Sequence, residues 1–166
     1  MDKTQRIIVS ILGGILGAVL VLVFLLAAGI IRRQEVLDFT PPSFDKAAVM
    51  GTPSLDDRED YRRMDIGEGF SVSMCGAPVF DGTGAELYLT SPASNTVWVR
   101  VKIYDQSGAL IGESGIIRPG EYVRSVPMTI VPERDIPITV KILSFEPESY
   151  FSLGSANANV TLLQGK

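Results

Sequence analysis

The feature that most constrains this chain is an apolar run without a charged side chain, from Ile7 to Ile31. At about 1.5 Å per residue, a helix over this run is roughly 37 Å long. That length exceeds a hydrocarbon core of about 30 Å. The sequence therefore predicts an integral, single-pass membrane protein with a transmembrane helix over 7–31 and a short head over 1–6.

The flanking charges bear on the orientation of this helix. Lys3 and Arg6 precede it, and Arg32 and Arg33 follow it. The two flanks carry nearly equal positive charge, so the positive-inside rule gives only a weak preference for one orientation. A short head before a long apolar run is the ordinary form of a signal anchor, and we expect a cytoplasmic N-terminus with the remainder extracytoplasmic. A cleavable signal peptide is the alternative, but its apolar region usually spans about 7 to 15 residues.

Small residues recur within the apolar run at a spacing of four. Such a stripe allows two helix backbones to approach closely and pack as a dimer. Glycine and alanine are also common in any membrane helix, so a lone anchor is the alternative. The predicted dimer face consists of Gly13, Gly14, Gly17 and Ala18.

The charge balance of the remaining chain bears on its partners. Of the 15 Lys and Arg and the 19 Asp and Glu side chains, only Lys3, Arg6 and Asp2 precede the apolar run. Residues 32–166 therefore carry 13 basic and 18 acidic side chains, a net charge of −5. Nucleic-acid binding depends on a positive field and basic clusters, so we predict no nucleic-acid partner.

Cysteine and histidine usage excludes several chemistries. Cys75 is the one cysteine, and the chain has no histidine. An intrachain disulfide, a Cys/His zinc site and a Ser-His-Asp or Cys-His nucleophile are therefore excluded. We predict no cofactor, no metal ion, no catalytic residue and no enzymatic activity.

The segment 32–67 shows no sustained period of 3.6 or 2. Pro41-Pro42, Pro53 and the charged run 56–60 interrupt scattered apolar residues. This composition is typical of a linker. We predict a stalk that separates the membrane helix from a folded domain over 68–166.

From Phe70 onward the apolar period becomes two, which indicates half-buried strands. Strands are predicted at 70–75, 85–91, 96–104, 109–112, 121–131, 136–145 and 157–163. Turn residues separate them, as at Asp81-Gly-Thr-Gly84 and Asp105-Gln-Ser-Gly108. About seven short strands without a helix predict an all-β, Ig-like antiparallel β-sandwich.

The clearest strand raises the question of where the one tryptophan lies. Alternation places Val97, Val99, Val101 and Ile103 on one face and Trp98 on the other. Comparison with the buried tryptophan of Ig domains favours the core, whereas the alternation favours the surface. Both interpretations stay open from the sequence.

Three segments carry a family resemblance: Asn95–Tyr104, Ser114–Tyr122 (SGIIRPGEY) and Phe145–Tyr150 (FEPESY). Together they resemble small single-pass membrane proteins of Gram-positive-type bacteria that carry an extracytoplasmic Ig-like domain of unassigned function. The resemblance implies the Ig-like fold and the location at the cell membrane. It implies no active site.

The candidate interaction residues are aromatic side chains and nearby carboxylates, which suit recognition of a basic or carbohydrate ligand. Solvated turn charges are the alternative explanation of the glutamates, since Pro119-Gly120 and Pro147 mark turns. The candidates are Trp98, Glu121, Tyr122, Glu146, Glu148 and Tyr150.

The leading functional hypothesis is a non-enzymatic, membrane-anchored binding or scaffold module. Its partner would be an envelope protein or a surface polymer, in an envelope assembly or in adhesion. Two alternatives stay open. One is a small hydrolase that uses carboxylates such as Glu146 and Glu148, and the other is a regulatory membrane protein that signals by helix association.

Overall fold

The computed structural model describes residues 2, 17, 19–23, 39–55 and 59–165. The chain divides into two compact units, Met1–Thr40 and Pro41–Lys166. In the first unit, residues 17 and 19–23 are helical. Among the described residues, no helix has the length and apolarity needed to cross a bilayer. Most of the predicted span 7–31, with Gly13, Gly14 and Ala18 of the predicted dimer face, lies outside the described residues.

The second unit is all-β, as the sequence predicted. Its described part contains twelve strands, several of them only two or three residues long. They are β1 Val49–Met50, β2 Tyr61–Gly67, β3 Phe70–Cys75, β4 Val79–Phe80, β5 Gly84–Glu86, β6 Leu89–Thr90, β7 Trp98–Tyr104, β8 Leu110–Glu113, β9 Glu121–Val123, β10 Val126–Pro127, β11 Ile136–Phe145 and β12 Ser152–Leu162.

These strands form three antiparallel sheets. A five-stranded sheet has the order β1-β9-β6-β3-β2, and a three-stranded sheet has the order β10-β5-β4. A four-stranded sheet has the order β12-β11-β7-β8. One hydrophobic cluster draws side chains from all three sheets, so the arrangement is sandwich-like.

The side chains of β7 alternate between the core and the outer face, as the sequence predicted. Val99, Val101 and Ile103 are fully buried, and Ile138, Val140 and Ile142 of β11 lie beside them on the same face. The opposite face of β7 carries Trp98, Arg100, Lys102 and Tyr104, all half-buried. Trp98 therefore lies on the outer face of the four-stranded sheet, away from the core.

Two predicted strands, 85–91 and 121–131, each divide between two sheets. β6 pairs with β9 in the five-stranded sheet, whereas β5 pairs with β10 in the three-stranded sheet. Between the pairs, the Tyr88 amide donates to the Arg124 carbonyl at 2.9 Å, and Tyr88 has a left-handed φ of 49°. The two strands thus turn the same corner together, which raises the strand count above the predicted seven.

The segment predicted as a stalk, 32–67, contributes β1 and β2 in its described part. β1 pairs with β9, and β2 pairs with β3. The folded unit begins at Pro41, ahead of the predicted domain boundary at residue 68. Both strands lie at sheet edges. Charged side chains such as Arg62 and Arg63 are exposed to solvent there. The alternation of apolar and polar residues that marks a half-buried strand is therefore weak in these segments.

Candidate interaction surface

An aromatic cluster lies at one end of the outer face of the four-stranded sheet. The Trp98 ring is flanked by Phe44 at 4.9 Å and by Tyr150 at 5.2 Å between centroids. Both pairs are edge-to-face, with interplanar angles of 76° and 69°. This is the geometry that the aromatic quadrupole favours. The structure therefore brings together two of the predicted residues, Trp98 and Tyr150, and adds Phe44.

Arg118 extends the aromatic cluster with a cation. Its Cζ lies 3.7 Å from the centroid of the Phe44 ring, within the range of a cation–π contact. Half of the Arg118 side chain is exposed to solvent (50%). The cluster consequently presents both aromatic carbon and a positive charge to its surroundings.

Glu121, a predicted recognition residue, is buried and holds the turn beneath this arginine. Its carboxylate accepts a hydrogen bond from the Arg118 amide at 2.8 Å and lies 3.4 Å from the Arg118 guanidinium. Gly120, with a φ of 83°, completes the turn. Glu121 therefore positions Arg118, and its own carboxylate faces the protein.

Tyr150 is held against Trp98 by a tight hairpin loop between β11 and β12. The Glu146 amide donates to the Phe151 carbonyl at 2.8 Å, and the Tyr150 amide donates to the Glu146 carbonyl at 3.1 Å. Glu148 and Tyr150 both adopt left-handed backbone conformations, with φ of 68° and 58°. Non-glycine residues seldom adopt this conformation without a compensating contact. Tyr150 has such contacts in its ring packing against Trp98 and its amide hydrogen bond to Glu146.

The remaining predicted residues have other environments. Glu146 and Glu148 are exposed on the same loop, and the Glu146 carboxylate accepts a hydrogen bond from the Ser149 hydroxyl at 2.6 Å. Tyr122 lies on β9 of the five-stranded sheet, opposite Val49 and Thr90. It belongs to a different sheet from Trp98 and is not part of the aromatic cluster.

The outer face beyond the aromatic cluster is mainly polar and basic. Arg100 forms an ion pair with Glu113 at 2.8 Å, and its Nε donates to the Ser114 carbonyl. Lys102 of β7 and Lys141 of β11 lie directly opposite each other. Like charges at such positions repel, but Lys102 also lies opposite Glu113 of β8 on its other side, which offsets the repulsion.

Two aspartates that the sequence placed in turns do act as turn residues. Asp81 Oδ1 accepts hydrogen bonds from the amides of Thr83 and Gly84 and from the Thr83 hydroxyl. Partial desolvation alone would raise the pKa of Asp81, but the hydrogen bonds from Thr83 and Gly84 favour the ionised carboxylate, and the pKa is lowered to about 2. The pKa of Asp105 is also lowered, first by the Ser107 hydroxyl, in the turn between β7 and β8.

The described residues contain no cluster of three or more His, Cys, Asp and Glu side chains with the proximity that a metal ion requires. Cys75 is fully buried in the core.

The fold and the aromatic cluster define the chain as carrying an all-β, sandwich-like domain with an aromatic and cationic surface at one end. No protein-family model matches the chain, and neither a curated protein nor a solved structure matches it.

Proposed function

We propose that this protein is a non-enzymatic, membrane-anchored binding or scaffold module with an Ig-like domain on the extracytoplasmic side of a bacterial membrane. Its partner is a component of the cell envelope, either a protein or a surface polymer. The observation that supports the proposal best is the position of Trp98 on the outer face of the sheet, between Phe44 and Tyr150.

The composition of this surface is that of a contact site. Tryptophan, tyrosine and arginine dominate the binding energy of protein interfaces, because they combine large apolar area with few internal rotations or with planar charge. Trp98, Tyr150 and Arg118 are all accessible in part. Phe151, which follows Tyr150, is 68% exposed and adds accessible apolar area next to it in the chain.

The contact surface is also preorganised. Edge-to-face packing holds Trp98, and the hydrogen-bonded loop 146–151 holds Tyr150. Side chains that are already ordered lose less conformational entropy on binding. This rigidity favours a recognition role over a role as a flexible spacer.

The hypothesis of a carboxylate hydrolase has less support. Glu146 and Glu148 are exposed on one short loop, and the Glu146 carboxylate is engaged by Ser149 of the same loop. Glycoside hydrolysis requires two carboxylates that face each other across the scissile bond. Nothing in the described residues favours a regulatory role through helix association over the binding role.

A photo-crosslinking experiment tests the proposed function on the full chain in its native cells. A benzophenone amino acid replaces Phe151, next to the aromatic cluster, and in a control protein it replaces Val131, which is 75% exposed elsewhere in the domain. We expect a discrete adduct from position 151, absent from position 131 and lost when Trp98→Ala is added. Equal adducts at both positions, or an adduct that survives Trp98→Ala, would contradict the role of this surface.

The location is tested separately by protease treatment of intact cells. The extracytoplasmic orientation predicts that added protease degrades the domain 41–166 without lysis. Degradation only after lysis would overturn the orientation.

A further inference from the structure

Strand β12 is an unusually open sheet edge. Over Ser152–Leu162 its one strand neighbour in the described structure is β11. At its end the backbone also hydrogen-bonds to the segment at β4, where the Phe80 amide donates to the Leu163 carbonyl and the Leu163 amide donates to the Pro78 carbonyl. Along the rest of β12, alternate N–H and C=O groups point away from β11 and are available to a further strand.

The central part of this edge lacks the features that normally prevent edge-to-edge pairing, and a bulge lies near its start, where Gly154 and Ser152 pair with the consecutive residues Ser144 and Phe145. Natural sheets protect their edges with charged residues, prolines, bulges or short strands. From Phe151 to Gln164 there is no charged residue and no proline. β12 is also the longest strand, with 11 residues.

Edge strands elsewhere in the described structure do carry such protection. β2 contains Arg62, Arg63 and Asp65. β8 has four residues and ends in Glu113, while β10 has two residues, one of them Pro127. The remaining edge strands, β1 and β4, have two residues each. The open edge is thus specific to β12.

The side chains at the centre of β12 are complementary to those of the same segment in a second, antiparallel copy. The inner face carries Ala156, Ala158 and Val160, and the outer face carries Ser155, Asn157 and Asn159. An antiparallel copy centred on Asn157 places Asn157 opposite Asn157, Ala156 opposite Ala158 and Ser155 opposite Asn159. Small apolar residues then meet each other, amides and hydroxyls meet each other, and no like charges are opposed.

A groove beneath the same edge gives the added strand a second contact. This groove has a volume of about 410 Å³. Met64, Met74, Ala158 and Val160 supply its apolar lining, and the charged residues Asp60, Arg62 and Arg63 also line it. Inner-face side chains of a strand added to β12 point toward it, because side chains of adjacent strands share a face.

We propose that two copies of this chain associate through antiparallel pairing of their β12 strands, which joins their four-stranded sheets into one continuous sheet. This surface is separate from the aromatic cluster, and the inference does not depend on the proposed partner. The two-fold axis passes near Asn157. Two copies anchored in one membrane would meet at a raised local concentration, which favours even a weak pairing.

Disulfide trapping tests the pairing in the full chain in membranes. Cys75, the one native cysteine, is fully buried, so an introduced cysteine is the one that reacts. Opposed residues of antiparallel strands have Cα atoms about 4.5 to 5.5 Å apart, within the range that a disulfide bridges. We expect Asn157→Cys to form a covalent dimer under mild oxidation.

Ser155→Cys is the matched control, because it lies on the same outer face of β12. In the proposed pairing, residue 155 of one copy lies four residues along the strand, roughly 13 Å, from residue 155 of the other copy, which is too far for a disulfide. It should crosslink only when it is coexpressed with Asn159→Cys. Association through the membrane helix alone would not reproduce this dependence on position.

A second variant tests the energetics of the edge. Ala158→Lys places an inward-pointing charge on β12 and should raise the dimer dissociation constant about tenfold or more. Asp65→Lys on β2 should leave it unchanged. Absence of the Asn157→Cys dimer, equal crosslinking at residues 155 and 157, or a β12 adduct to another protein in place of the dimer would each overturn the proposal.

Discussion

The guanidinium of Arg118 lies over the ring of Phe44, with 3.7 Å between Cζ and the ring centroid. This contact joins the turn before β9 to the segment before β1. Backbone hydrogen bonds run alongside it, since the Asp45 amide donates to the Ile116 carbonyl and the Ile116 amide donates to the Ser43 carbonyl, both at 2.9 Å. The residues that enter the domain are therefore fixed to it at the aromatic cluster.

A double-mutant cycle between Phe44 and Arg118 should reveal coupling. Phe44→Leu removes the ring, and Arg118→Lys keeps the charge but loses the planar guanidinium. We expect a coupling energy of about 0.5–1 kcal/mol in the free energy of unfolding, measured by urea denaturation of residues 41–166. Strictly additive effects would show that the stacking contributes nothing.

A pair of glycine substitutions should separate docking of the entering segment from general effects on stability. A Cβ on Gly115 would lie 2.5 Å from both the amide nitrogen and the Cα of Asp45. Because these are backbone atoms, the segment itself must move. Gly115→Ala should therefore destabilise the domain by about 1–3 kcal/mol.

Gly67 on β2 supplies the control, because a Cβ there meets no atom within 4 Å. Gly67→Ala should change the free energy of unfolding by less than about 1 kcal/mol, and in the stabilising direction. Equal losses in the two variants, measured by thermal unfolding, would contradict close docking at Gly115.

The sequence predicted the strands whose inner face is fully buried. The side chains of β7 and β11 alternate between the core and the outer face along most of their length. β3 alternates in its sequence, but Ser71 on its second face is buried as well. β1 and β2 were assigned to a stalk, since edge strands tolerate charge on both faces. The corner at Tyr88 was also missed, because its left-handed φ depends on the partner strand at Arg124.

The sequence predicted only part of the aromatic cluster, because the other part depends on tertiary contacts. Trp98 is recognisable as an aromatic residue on the polar face of an alternating strand, and Tyr150 as an aromatic residue beside a turn. Phe44 and Arg118 join them only through tertiary contacts with segments distant in sequence, which no local pattern encodes. Arg118 lies within the segment Ser114–Tyr122 that carried the family resemblance, so a signal for its neighbourhood was present. Phe44 lies outside the three segments that carried the resemblance and has no comparable signal.

The one tryptophan makes the aromatic cluster measurable by fluorescence. Tyr150→Leu removes the ring that covers one side of Trp98 and exposes the indole to water. We expect a red shift of the Trp98 emission and a loss of about 1 kcal/mol of stability. Tyr104→Leu, at the other end of the same face of β7, should leave the emission maximum unchanged. An unchanged spectrum for Tyr150→Leu would show that the two rings are not in contact.

Asp81 should give the domain a stability component that depends on pH in the acidic range. Its folded pKa of about 2 lies below the ordinary value of 3.8, so the folded state binds this proton less readily than the unfolded state. The contribution is therefore fully present above about pH 4 and is lost as the pH falls toward 2. Because the carboxylate is largely exposed, solvent screening limits the contribution to about 1 kcal/mol.

Asp81→Asn keeps the size of the side chain and removes its charge. The variant should be less stable than the native chain by about 1 kcal/mol at pH 7, and the difference should close between pH 4 and pH 2. Glu133→Gln, at an exposed loop position, controls for the change in net charge. Urea denaturation at several pH values measures both variants. A difference in the free energy of unfolding between Asp81→Asn and the native chain that stays constant down to pH 2 would mean that the hydrogen bonds from Thr83 and Gly84 do not favour the ionised carboxylate.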